Sequence, residues 1–78
     1  MSNPHPRLHV RLKQRAVYSW VVHRNIRMKD LSKMLGIHPC YMSQFVHGRR
    51  YPSPRYREKF LSIMKPLKWD DLFVEEFK

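Results

Sequence analysis

Four residues in the middle of the chain carry side chains suited to reading the edge of a base pair: His38, Cys40, Tyr41 and Gln44. The Gln44 amide can donate to and accept from an adenine edge in a major groove. Cys40 and Tyr41 offer apolar contact to a thymine methyl, and Tyr41 can instead reach a phosphate. His38 can meet phosphate or base. A second set suits phosphate. Arg49 and Arg50 follow at once, Arg55 and Arg57 come next, and Lys29, Ser43 and His47 lie in the same stretch. Contacts to phosphate provide affinity, and contacts to base edges provide specificity. Lys13, Lys33 and Lys59 have the same charge, which solvated surface charge explains equally well.

The elements that must position these side chains are legible between Met28 and Ser53. Leu31 and Leu35 are four apart and share a helix face, with Met34 beside them. Gly36 follows directly and suits a left-handed stop. Ile37 can enter the core at the turn. A second helix begins near Pro39, whose fixed φ fits a first turn. Met42, Phe45 and Val46 give it an apolar face, and Cys40, Tyr41, Ser43, Gln44 and His47 remain on the open side. Gly48 ends it. A buried helix, a tight glycine turn and a second helix with a polar outer face is the layout of a DNA-reading helix-turn-helix.

These residues resemble the Cro/C1-type helix-turn-helix domains, the lambda-repressor-like or XRE group. The resemblance rests on Leu31-Ser32, Leu35, Gly36, Ile37, Met42-Ser43, Phe45, Gly48, Arg49-Arg50 and Pro52-Ser53, and continues to Asp71-Leu72-Phe73. It implies an all-α, five-helix domain that reads double-stranded DNA with its third helix. It also implies a homodimer on a pseudo-palindromic operator. Members of that family often carry an Arg late in the first helix and a Glu late in the third. The matching positions here are Val21 and Val46, and the loss of both charges together makes each a core residue. At the expected cap of the second helix the family often has Ser or Thr, and this chain has Arg27, which should weaken that helix start.

The remaining helices follow from periodicity. Arg7–Lys13 alternates polar and apolar residues like a strand. Leu8, Leu12, Ala16 and Trp20 also keep a step of four, which favours one helix from Arg7 to about His23. A fourth helix starts after Ser53, a good N-cap, with Pro54 in its first turn, and stops before Pro66. A fifth spans Trp69–Phe77. Its Trp69, Leu72, Phe73 and Phe77 supply more apolar surface than a small domain covers, which points to self-association. Residues 1–6 read as a flexible arm, and residues 7–78 as one domain.

Composition narrows the function. Seventy-eight residues with 16 Lys and Arg against 6 Asp and Glu carry a formal net charge of +10. That balance suits a polyanion. Four of the acids, Asp70, Asp71, Glu75 and Glu76, sit near the end of the chain, so the acidic tail is expected to point away from DNA. No apolar run approaches a membrane span. The start has no apolar export signal, and one cysteine suits a reducing compartment, so a cytoplasmic, nucleoid-associated protein is expected. His38, Cys40 and His47 do not make four ligands, so no metal and no cofactor is expected. No nucleophile–base pair or phosphate loop supports an enzyme. The function expected is a small transcriptional regulator of the repressor type, from a phage, mobile element or bacterial operon. Its rivals are a protein-interaction module on the same fold and a non-specific nucleic-acid binder.

Overall fold

The computed structural model of the chain describes residues 8–77. The arm expected over residues 1–6 lies outside them. Five helices and two strands follow in the order β1 (Leu8–Leu12), α1 (Gln14–His23), α2 (Met28–Leu35), α3 (Pro39–Val46), α4 (Pro54–Ile63), α5 (Trp69–Leu72) and β2 (Phe73–Phe77). The chain is therefore mostly helical, with a two-stranded antiparallel sheet closed by its two ends.

The sheet corrects two expectations. The first helix starts at Gln14 and not at Arg7, and the fifth helix is one turn long and does not reach Phe77. Both lost segments became strands that pair with each other. Leu12 faces Phe73, Val10 faces Glu75 and Leu8 faces Phe77. Val10, Leu12 and Phe73 are buried, so alternation along Leu8–Leu12 outweighs the competing step of four. The Lys13 N–H extends the connection by donating to the Leu72 carbonyl at 2.7 Å, and Lys13 Nζ reaches the Asp70 carbonyl at 2.6 Å.

Each helix buries one stripe. α1 turns Val17, Trp20 and Val21 inward and ends before Asn25, which takes a left-handed φ of 56°. Trp20 Nε1 and Arg24 both donate to the Lys65 carbonyl, tying α1 to the α4–α5 connection. α2 buries Leu31, Ser32 and Leu35, and the Ser32 hydroxyl donates to the Met28 carbonyl. Its start is not left bare by Arg27: the Arg27 N–H donates to Asp30 Oδ2 at 2.9 Å. That backbone bond, with the Arg27 charge, holds the Asp30 carboxyl below its ordinary pKa. Gly36 closes α2 in the left-handed region at φ 67°, and Ile37 enters the core. Ser53 takes the N-cap position of α4, but its side chain makes no capping hydrogen bond.

α3 is held from behind. Met42, Phe45 and Val46 are buried. The Phe45 ring lies 5.2 Å from Tyr56 and 6.1 Å from Phe60, Phe60 meets Phe73 at 6.3 Å, and Phe73 meets Trp69 at 4.8 Å. This aromatic line joins α3 to α4, β2 and α5, and its two edge-to-face pairs, Phe45–Phe60 and Phe60–Phe73, have a favourable geometry. Val21 and Val46 both lie in the same core. Leu72 and Phe73 are buried there too, which corrects their assignment to a self-association surface. Trp69 is half-buried, and of the four only Phe77 is largely exposed.

Candidate nucleic-acid interface

α3 presents the side chains singled out from the sequence. His38 stands at its N-cap, where Nδ1 accepts the Cys40 N–H at 3.1 Å. A backbone N–H can only donate, so Nδ1 is the acceptor in this bond, and the proton of the neutral imidazole belongs on Nε2. Cys40 and Tyr41 are exposed, and Gln44 is half-buried. The half-burial has a specific cause. Gln44 Oε1 accepts Arg50 Nε at 2.8 Å, and the Arg50 guanidinium stands 4.8 Å from the centre of the Tyr41 ring. Tyr41 and Gln44 are three apart on one helix face, so Arg50 returns from the loop and lies against the outer side of α3.

A groove of about 240 Å³ opens beside that face, lined by Tyr18, Met28, Lys29, Ser32, Pro39, Ser43, Val46 and His47. Three residues expected at phosphate, Lys29, Ser43 and His47, are thus brought together where α1, α2 and α3 meet. Lys29 lies in the first turn of α2, whose N-terminus adds partial positive charge. Tyr18 was not singled out by sequence. Its place three residues before Val21, at the margin of the buried stripe of α1, was the available signal. Gln14 was also missed; its amide lies 3.5 Å from His47 Nδ1.

The basic loop has a neighbour that sequence spacing did not reveal. Gly48 takes φ 71°, and a methyl group there would sit 3.5 Å from Arg11 Cδ. His9 stacks on Tyr51 with ring centres 4.5 Å apart. β1 therefore runs along the loop after α3 and adds His9 and Arg11 to it. The acidic end of the chain does not simply point elsewhere: Glu76 Oε2 lies 3.2 Å from Arg11 Nε. Its pairing follows from the β1–β2 register.

The other arginines separate. Arg49 is exposed, and its N–H donates to the Gln44 carbonyl at 2.8 Å. Arg55 lines a different groove, between α2 and α4, with Met34, Glu58 and Lys59. Arg57, expected at phosphate, has a neighbour from α5. Its guanidinium stands 5.4 Å from the centre of the Trp69 ring, and its Nε is buried without a hydrogen-bond partner. Attraction between the cation and the indole face draws it toward α5.

Among the described residues no group of three or more His, Cys, Asp and Glu side chains is placed to hold a metal ion, and no helix is long and apolar enough to cross a membrane. The chain matches no protein-family model, no curated protein and no solved structure.

Proposed function

We propose that the chain is a sequence-specific DNA-binding regulator of transcription, of the Cro/C1 helix-turn-helix type, that reads the major groove with α3. The observation that carries this reading is the division of labour across α3. Lys29, Ser43 and His47 share one groove, and Tyr41, Gln44 and Arg50 share the adjoining face. The first group has the chemistry of phosphate contacts, and Tyr41 and Gln44 have that of base contacts. The left-handed Gly36 turn and the buried inner stripes of α2 and α3 support it, because they leave that face outward. A net charge of +10 supports an anionic partner.

The chain acts as a homodimer on a pseudo-palindromic site, since two copies of α3 one DNA turn apart double the readout. Phe77 and Leu8 support a second copy, being opposed across the sheet and exposed at 65% and 50%. Titration of fluorescent duplexes at two salt concentrations tests the function. A steep loss of affinity with salt is expected. No binding at low salt would leave a protein-interaction module in its place. Sedimentation of the complex tests the dimer, with two chains expected per duplex.

A further inference from the structure

We propose that Arg50 is a base-reading residue, addressing a guanine beside the base pair met by Gln44. Its assignment rests on the DNA-binding role proposed above. Sequence spacing places Arg50 in the phosphate set, because it lies beyond Gly48 and outside α3. Its side chain does not stay in the loop. Nε donates to Gln44 Oε1 at 2.8 Å, and the guanidinium covers the Tyr41 ring at 4.8 Å. Both holds belong to the outer face of α3, so the guanidinium lies on that face.

The donors left free decide the chemistry. Arginine has five N–H donors in a planar fork. Gln44 takes the Nε–H, and among the described residues the two Nη groups make no hydrogen bond. That terminal edge is the geometry that meets guanine O6 and N7 together. Gln44 is not used up. Its Oε1 has a second lone pair for an adenine N6–H, and its amide N–H groups remain for N7. The two groups are one hydrogen bond of 2.8 Å apart. Side chains in direct contact can address adjoining base pairs, which stack roughly 3.4 Å apart. The hold also fixes a long side chain before DNA arrives, which lowers the ordering cost of binding. Arg49, exposed and without such a hold, keeps the phosphate role.

The experiment selects duplexes from a randomised pool with the wild type, Arg50→Ala and Arg50→Lys, after thermal unfolding has verified that each variant folds. Affinities for the wild-type duplex and a scrambled one are then measured against salt. The wild type is expected to recover adenine and guanine at neighbouring positions. Arg50→Ala should lose the guanine preference and about tenfold or more in affinity for the selected duplex. Its binding to the scrambled duplex and its salt slope should be nearly kept. Arg50→Lys keeps the charge without the fork and should lose the same preference. Equal losses on both duplexes with a slope lower by about one unit, full rescue by lysine, or a guanine preference that survives Arg50→Ala would each overturn the assignment. A wild type that recovers no sequence overturns the DNA-reading role itself, and that result is distinct from a selective wild type whose guanine does not depend on Arg50.

Discussion

Arg50 Nε donates to Gln44 Oε1 at 2.8 Å, so a loop residue and a helix residue form one polar unit on the outer face of α3. Side chains in direct contact do not contribute additively. On the preferred duplex, Gln44→Ala is expected to cost ~1–3 kcal/mol of binding, and much less on scrambled DNA. A double-mutant cycle with Arg50→Ala should give a coupling energy of about 0.5–3 kcal/mol. Thermal stability should change little, since neither side chain is in the core. Additive losses would show that the two groups act separately on DNA.

Lys29 lies in the groove with Ser43 and His47, at the start of α2. Lys29→Ala should weaken binding to every duplex by a similar factor and lower the salt slope by about one unit. Affinities on selected and scrambled DNA, each at several salt concentrations, check this. A loss confined to the selected duplex would assign Lys29 to a base.

Val46 is 4% exposed on the inner side of α3. Val46→Glu alone buries a charge without a partner and should destabilise the fold by ~3 kcal/mol or more. Urea unfolding measures the difference. A stability close to wild type would mean that α3 can turn this position out to solvent.

Asp30 accepts the Arg27 N–H, and its carboxyl titrates below the ordinary value of 3.8. A carboxyl whose folded pKa is depressed adds stability above its unfolded pKa. That stability is lost as pH falls from 3.8 through the folded value. Thermal unfolding against pH should therefore fall less steeply on the acid side for Asp30→Asn than for the wild type. Parallel curves would remove Asp30 from the helix start.

The middle of the chain was legible because its signals are local. Gly36 stops α2, Pro39 starts α3 and Ile37 fills the turn, each within a few residues of the structure it specifies. The ends were not, because their structure is set by a partner far along the chain. Leu8–Leu12 alternates, yet only pairing with Phe73–Phe77 decides between strand and helix. The same distance hid the approach of Arg11 to the open side of Gly48 and the stacking of His9 on Tyr51. The surroundings of Arg57 were hidden for a related reason: its neighbour Trp69 comes from α5 and not from its own helix. Within the candidate site, residue types were readable, but the return of Arg50 onto α3 depends on a loop conformation that spacing does not specify.

The most direct measurement is the ratio of affinities for a duplex selected from random DNA and for its scrambled counterpart, at physiological salt. Sequence-specific reading by α3 predicts a selected consensus and a ratio of about 10³ or more. Equal affinities, or a recovered pool without a consensus, would contradict it and leave the charge of +10 as the basis of non-specific binding.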